Sequence, residues 1–397
     1  MKIKVHDKFK PLFKKDTRYY LLTGGRGSSK SFSVALYLCT LTFEPNQKIL
    51  FTRYTLTSAK ISIIPEFIEK IELLNVGHKF KVTNDSIVNI TTGSVIIFKG
   101  VKTSSGNQTA ALKSLQGITT WVYDEAEEEE SESNFDKIDL SIRTKGVYNK
   151  VVLILNPSTK EHWIYKKFFE NRNVNEGFNG VFENTTYIHT TYLDNITNLD
   201  ESFIKNVELI KERNPEKYKH MILGGWLNKA EGVIFSDWEI GAFDESLPFI
   251  WGMDFGYVTD PTTLVKVAVK DNNLYLKEYL YKQHLGTNEI IDILTNTVDP
   301  NDLIVADNAE PRLISELQLA GFNVVPCKKG KDSIKNGLAR MANYHFIVEG
   351  NNYIKELNNY VWNCRKSNTP IDNHNHLIDA TRYAFDDLVQ DSNFIFM

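Results

Sequence analysis

Apolar residues along the chain gather in short runs separated by amphipathic stretches. "YYLLT" (19–23) reads as a buried strand, followed by a Gly/Ser turn and a helical pattern from Ser31 through about Leu41. "KILFTRYT" (48–55), "SVIIFKGV" (94–101), "TTWVYDEA" (119–126) and "KVVLILNP" (150–157) predict further strands. Helical patterns such as "SAKISIIPEFIEKIELL" separate some of them. Strand and helix patterns in alternation predict an α/β fold with a mostly parallel sheet. The pattern changes at "ILGGWLNKAEGVIFSDW" (222–238), which has three glycines and little periodicity. We therefore expect a first domain over 1–230, a connection over 231–248 and a second domain over 249–397. The second half opens with the strand "FIWGMDFG" (249–256), then a hairpin over 262–285 turning at Asp271-Asn272-Asn273. A helix at about 287–296, the strand "LIVAD" (303–307) and several further helices complete a mixed α/β domain.

A chain of 397 residues can hold two separate cores. No apolar run approaches the roughly 20 residues of a membrane helix. The start, "MKIKVHDKFKPLFKK", is basic with no apolar block behind it, so no secretory signal is expected. Cys39, Cys327 and Cys364 are far apart and form no metal-type pair, so a reducing cytoplasm is the expected compartment. A net charge of −4 at first argues against a nucleic-acid partner, but a basic groove can coexist with acidic surfaces. Basic clusters do occur: six lysines in the first fifteen residues, "KEHWIYKK" (160–167) and "CKKGKDSIKNGLAR" (327–340). Solvated faces explain such clusters equally well, and composition leaves the partner open.

The turn after the first strand, "GGRGSSKS", nearly spells the phosphate-binding pattern G-x-x-x-x-G-K-[ST], with Ser29 in place of the glycine before the lysine. Such a loop aims successive backbone N–H groups at an anion where a helix N-terminus also favours negative charge. Gly24, Gly25 and Gly27 supply flexibility; Ser28 and Ser29 continue the cradle, provided Ser29 keeps backbone angles open to a non-glycine residue. Lys30 would reach the β/γ-phosphates and Ser31 the Mg²⁺. "WVYDEA" (121–126) adds two acids at the tip of an apolar strand. Asp124 would hold Mg²⁺, and Glu125 would orient or deprotonate the attacking water. An acidic helix start accounts for Glu127 to Glu130, but not for two acids delivered by a buried strand. Asn156, in "LILNPST", sits where a strand leaves the sheet and could sense the γ-phosphate. Arg26 could add a cation for transition-state charge, with a plain surface arginine as the alternative. Together these predict a site for ATP with Mg²⁺.

Two acids close apolar strands in the second half: Asp254 in "WGMDFG" and Asp307 in "IVADNAEP". Asp379 lies in the helical pattern "HLIDATRYAF", with His376 three residues before it on the same face. Metal-assisted phosphodiester hydrolysis needs such a set, because two Mg²⁺ or Mn²⁺ ions about 3.5–4 Å apart are held by oxygen ligands. The set resembles the ribonuclease H-like nuclease arrangement; Glu310, Asp260 and Asp386 are weaker candidates.

With both constellations in order, the chain resembles the large terminase subunit of tailed bacteriophages over nearly its whole length. "GGRGSSKS", "FTRYTLTSAKISI", "KSLQGITTWVYDEA", "LNPSTKEHWIYKKFF", "GGWLNKAEGVIF", "GMDFG", "ADNAEP" and "HLIDATRYAF" fall in that family's order. The resemblance implies an N-terminal P-loop ATPase domain and a C-terminal ribonuclease H-like nuclease domain. ATP hydrolysis would drive double-stranded DNA into the prohead, and the nuclease would cut concatemeric DNA. It further implies that Arg26 and Ser29 suit the family's loop, that Asn156 lies in a segment coupling hydrolysis to movement, and that Asp254, Asp307, His376 and Asp379 form the nuclease centre. A basic residue of a neighbouring subunit, Lys113 or Arg143, would complete the ATP site. Partners implied are DNA of any sequence, a portal protein, the small terminase subunit and further copies on the portal, compatibly with a monomer in solution, in the host cytoplasm and away from membranes. A helicase or repair translocase with a non-cleaving DNA-binding second half is the main rival, and no helicase motif follows "DEA".

Overall fold

Every apolar run expected to form a strand in the first half does so, and these strands pair into one ten-stranded sheet. The computed structural model describes residues 5–14, 17–55, 63–103, 106–107, 116–230, 232–258, 260–330, 332–363 and 369–392. The strands are β1 (Tyr19–Gly24), β2 (Lys48–Thr55), β3 (Phe80–Val82), β4 (Ser86–Asn89), β5 (Val95–Thr103), β6 (Gly106–Asn107), β7 (Thr120–Asp124), β8 (Lys150–Leu155), β9 (Gly180–Phe182) and β10 (Thr185–Thr190). Their order is β3-β4-β5-β2-β7-β8-β1-β10-β9, with β6 paired to β5. The six from β5 to β10 in this order run parallel.

A parallel sheet buried on both faces needs near-continuous apolar strands, and that is what these runs supply. Leu22, Ile49, Phe51, Val122 and Val152 point into one core. Leu21, Leu50, Trp121, Tyr123 and Leu153, their neighbours in sequence, point into the other. Helices α1 (Lys30–Leu41) and α2 (Ile64–Leu73) cover the first face with Leu38 and Phe67, and α3 (Glu132–Asp139) covers the second with Phe135 and Ile138. The longer helical pattern expected over 58–74 is described only from 63. After β10 comes α4 (Glu201–Arg213), which begins on an Asp200 N-cap.

The chain divides into two units, 1–227 and 228–397. The second is built on a seven-stranded sheet, β11 (Trp238–Ile240), β12 (Phe249–Asp254), β13 (Thr262–Lys270), β14 (Asn273–Lys282), β15 (Ile304–Ala306), β16 (Val324–Pro326) and β17 (His345–Glu349), ordered β11-β17-β14-β13-β12-β15-β16. The expected hairpin is β13–β14, with Lys270 opposite Asn273 and Asp271 at positive φ. Helices α5 (Thr287–Thr297) and α6 (Pro311–Leu319) pack on one face, while α7 (Ser333–Met341), α8 (Asn351–Asn359) and α9 (His376–Ser392) pack on the other.

Residues 232–248 are not a free connection. Val233 bridges Val361, Phe235 is 3% exposed with its ring 4.8 Å from that of Phe346, and β11 pairs with β17. A single bridge, one anchoring ring and a three-residue edge strand are too short to leave a period in the sequence.

Candidate active sites

In the first unit, β7, β8 and β1 lie side by side and parallel, so their C-terminal ends open on one edge. Crevices outside the carboxyl ends of such strands are where α/β sheets bind ligands. A cavity of about 460 Å³ lies there, lined by Gly25 to Ser31, Arg53, Asp124, Glu125, Glu127, Asn156 and Phe203. Asn156 follows β8 and therefore stands between the Gly/Ser turn and the two acids.

Gly24 closes β1, and the turn is pressed against the segment that follows β10. A Cβ on Gly25 would lie 1.9 Å from the Ile222 carbonyl oxygen, so no larger residue fits. The Arg26 N–H donates to the Met221 carbonyl at 2.9 Å, and Asn195 Nδ2 donates to the Gly27 carbonyl at 2.9 Å. Ser28 is buried and its hydroxyl donates to the Gly25 carbonyl at 2.7 Å. Ser29 departs from expectation: its φ of 60° and ψ of 22° lie in the left-handed region that a glycine takes freely. The serine adopts the glycine conformation; the loop does not reshape itself around the serine.

Lys30 is 7% exposed and folded back on the loop. Its Nζ donates to the carbonyls of Gly24 (2.8 Å) and Gly25 (3.0 Å), to Ser28 Oγ (3.1 Å) and to Asn156 Oδ1 (3.1 Å). Burial lowers its pKa to about 8, against the pull of Glu127 and Asp124. Asp124 is 3% exposed; burial raises its pKa, and Arg53 opposes that rise by donating through Nε and a terminal nitrogen at 2.8 Å. The same guanidinium lies 3.4 Å from Glu125, whose backbone is left-handed at φ 56°, ψ 47°.

Glu127, which the sequence pattern places in an acidic helix start, instead turns inward. Its Oε1 accepts from Asn156 N (3.2 Å) and Nδ2 (3.4 Å), its Oε2 is buried without a partner, and burial pushes it up to about 7. Lys30, Asn156 and Glu127 thus form one chain of contacts. Arg53 and Glu127 are the residues here that sequence reasoning missed. The available signal for Arg53 was an arginine at the tip of the strand run neighbouring "VYDEA".

Lys113 lies outside the described residues. Arg143 is exposed in the segment before β8, where Arg18, just ahead of β1, donates to the Ile142 carbonyl at 3.2 Å. That is the N-terminal edge of the sheet, opposite the cavity. The cluster 160–167 is neutralised internally: Lys160 pairs with Glu176 (2.9 Å), Lys166 with Glu161 (2.7 Å), and Lys167 with Glu132 and Asp136 (both 2.8 Å).

In the second unit, β12 and β15 are parallel neighbours, so Asp254 and Asp307 leave the sheet at the same edge; the Asp307 N–H donates to the Met253 carbonyl at 3.0 Å. A Cβ on Gly252 would lie 2.0 Å from the Ala380 carbonyl oxygen. That glycine lets α9 lie directly against β12 and brings in Asp379 and His376. Asp254 is pushed up to about 6 by burial and by the charges of Asp379 and Asp307, against a hydrogen bond from His376. His376 Nδ1 is 3.3 Å from Asp254 Oδ2, and its Nε2 is 3.8 Å from Asp260 Oδ1. Burial opposes its protonation, but these carboxylates together with Glu356 raise its pKa.

Each of the three acids faces its own basic side chain. Asp379 accepts from Arg382 at 2.9 and 3.1 Å, and from Asn375 at 3.0 Å; Asp307 pairs with Lys329; Asp254 faces His376. Among the described residues, no three His, Cys, Asp or Glu side chains are gathered to hold a metal ion as they stand. The donor set nevertheless fits a hard divalent cation, since it is all carboxylate oxygen. Burial first, and then the charges of Asp379 and Asp307, make Asp254 a poorer anion, a cost that a bound divalent cation would offset. Of the weaker candidates, Asp260 and Glu310 are exposed, and Asp386 pairs with Arg340. Lys329 falls in the basic cluster 327–340, which the pattern left without a role, and the buried Glu356 carries no local motif.

Residues 16–225, more than half of the chain, match the family model "Phage terminase large subunit", and residues 254–387 match "Terminase RNAseH like domain". The chain belongs to the phage terminase large subunit family. It is 30% identical to the large terminase subunit of Bacillus phage SPP1, over 97% of this chain and 97% of that one. It is 26% identical to the PBSX phage terminase large subunit of Bacillus subtilis (strain 168), over 95% and 92%. The nuclease domain of the SPP1 large terminase, solved with bound Mn, is 28% identical over 39% of this chain and 98% of that one, with a TM-score of 0.36. As a large terminase subunit, the chain is a viral DNA-packaging protein with an ATPase in its first part and a ribonuclease H-like, metal-dependent nuclease in its second. No helix among the described residues is long and apolar enough to cross a membrane.

Proposed function

We propose that ATP with Mg²⁺ occupies the cavity at the carboxyl edge of the first sheet, and that its hydrolysis drives duplex DNA into the prohead. The observation that carries this reading is the convergence of the Gly/Ser turn, Asn156, Asp124 and Glu125 around one cavity of about 460 Å³. Backbone N–H groups from Gly24 to Ser31 cradle the phosphates, and Lys30 turns from the loop carbonyls to the β/γ-phosphates. Ser31 and Asp124 hold Mg²⁺, and Glu125 orients the attacking water once Arg53 releases it. Arg26, exposed at the rim, supplies charge to the transition state. Asn156, joined to Lys30 and Glu127, passes the change at the phosphates into β8. A neighbouring copy contributes Lys113 or Arg143; the place of Arg143 on the far edge of its own sheet supports action in trans.

In the second unit, Asp254, Asp307 and Asp379 would hold two Mg²⁺ or Mn²⁺ ions, which activate water and stabilise the leaving oxygen of a phosphodiester. His376 keeps the Asp254 carboxylate oriented. Double-stranded DNA of any sequence, the portal, the small terminase subunit and further copies on the portal are the partners, in the host cytoplasm. Phosphate contacts should dominate, because a motor must pass every sequence.

The test separates the two chemistries in one preparation. Lys30→Ala should abolish ATP turnover while Mn²⁺-dependent plasmid nicking persists. Asp254→Asn should stop nicking and leave ATP turnover near wild type. Loss of both activities in a folded Lys30→Ala protein, or unchanged nicking by Asp254→Asn, would overturn the assignment.

A further inference from the structure

The three basic side chains at the candidate nuclease acids differ in how firmly they are held. Arg382 sits one turn from Asp379 on the same helix, is 2% exposed, and its stem packs over Gly337, where a Cβ would lie 2.5 Å from Arg382 Cδ. His376 is fixed at the first turn of α9, between Asp254 and Asp260. Lys329 is held differently. It lies on the connection between β16 and α7, its side chain is 37% exposed, and it reaches Asp307 on a flexible stem. Lys328 beside it is 78% exposed, and among the described residues nothing lies within 4 Å of where a Cβ on Gly330 would stand. The lysine end of the pair is open to solvent while the carboxylate is largely buried (side-chain exposures 37% and 15%), with the ammonium 5.6 Å from the Tyr383 ring, and DNA phosphates compete well for lysine.

We propose that Lys329 is the exchangeable cation of the nuclease centre: it holds Asp307 in the absence of DNA, transfers to a backbone phosphate when duplex enters, and so releases Asp307 to a divalent cation. This rests on the reading of Asp307 as a metal-holding residue. The ammonium and the divalent cation exclude each other at one carboxylate, whereas the ammonium and the phosphate attract. DNA binding and metal binding therefore strengthen each other, and by reciprocity each raises the affinity of the other by the same factor. The device keeps the metal centre incomplete until substrate is present.

The experiment is an Mn²⁺ titration of the full chain, read by electron paramagnetic resonance of the free ion, with and without a 20-base-pair duplex. A nicked duplex keeps its phosphates, so cleavage during the titration does not remove the effect. The wild type should bind Mn²⁺ about fivefold or more tightly with DNA than without. Lys329→Ala should bind Mn²⁺ about fivefold more tightly than wild type without DNA, and gain less than twofold when DNA is added. Lys335→Ala, a change of one exposed lysine on α7, should behave as wild type. Equal DNA enhancement in wild type and Lys329→Ala, with equal affinity without DNA, would overturn the proposal and leave the metal reading intact. Asp307→Asn tests that reading separately: Mn²⁺ binding unchanged in this variant would remove Asp307 from the metal centre.

Discussion

Ser29 shows how much of the ATP site depends on backbone angle. A left-handed L-residue costs about 1–2 kcal/mol, and a glycine there gives back roughly 0.5–1 kcal/mol in chain entropy. The Ser29 side chain makes no capping hydrogen bond that would be lost. Ser29→Gly should therefore be neutral to stabilising by about 1 kcal/mol, with ADP binding retained. Ser29→Val, a β-branched residue forced to positive φ, should cost about 1–2 kcal/mol and weaken ADP binding. Calorimetric melting and ADP titration of both variants check this, and a valine variant as stable as wild type would show that the turn does not need this conformation. Lys30, Ser31, Asp124 and Glu125, which line the candidate cavity, were legible as candidates because one strand–turn–helix and one strand tip carry them in fixed local patterns. Arg53 and Glu127 were not, because their importance arises across the sheet: Arg53 meets Asp124 only through the pairing of β2 with β7. Glu127 meets Asn156 only because β8 is the next strand after β7. A run of four glutamates reads as solvated, and nothing in it marks that Glu127 turns to Asn156 and Glu129 is buried against Tyr123.

At the scale of elements, the proposed nuclease centre depends on how the first turn of α9 is seated. Gly252 admits the helix, and Glu356 on α8 fixes its start by accepting from the N–H groups of Leu377 (2.9 Å) and Ile378 (3.1 Å). Glu356 is wholly buried and its Oε1 is unpartnered, so burial pushes its pKa from 4.5 to about 8, with Asp379 adding to the rise and the two N–H groups and His376 opposing it. The folded state therefore binds this proton more tightly than the unfolded state. The resulting stability is complete below the unfolded value and is lost as pH rises from there through about 8, at up to about 1.4 kcal/mol per pH unit. Glu356→Gln stays neutral and keeps an acceptor for the helix. Its stability relative to wild type should be near parity at about pH 4.5 and should improve steadily towards about pH 8. Urea denaturation across that range checks the sign; a difference that does not change with pH would mean that the folded-state pKa of Glu356 is not raised. The strands and helices involved were largely visible as patterns, and the acids at strand tips were found from them. The seating of α9 was not, since Gly252 reads as an ordinary strand glycine and Glu356 as an ordinary helix-surface acid until the two elements meet.

For the whole molecule, the order of chemistries along the chain was readable, while the stretch ahead of residue 249 packs with the second unit. The sequence suggested that its first structural residue is near 249, whereas residues from 228 onward contribute to its core and sheet. Phe235 joins the cluster formed by Phe346, Tyr360 and Leu377, and its loss should cost about 3 kcal/mol or more. Removing β11 would also leave β17 as an unprotected edge, the kind of edge that pairs with other chains. Against a total stability of about 5–15 kcal/mol for a domain, these losses are large. A fragment of residues 228–397 should therefore melt cooperatively and remain monomeric. One of residues 249–397 should melt at a clearly lower temperature and associate as concentration rises. Circular dichroism melts and light scattering of the two fragments decide the matter. Equal melting temperatures with no association would mean that 231–248 only lies upon the unit and adds nothing to its stability. The nuclease centre gives a second readout, because neither Asp254, Asp307 nor Asp379 is removed in the shorter fragment. Any loss of Mn²⁺-dependent nicking there, recovered in the longer one, would come from the scaffold that holds the acids together.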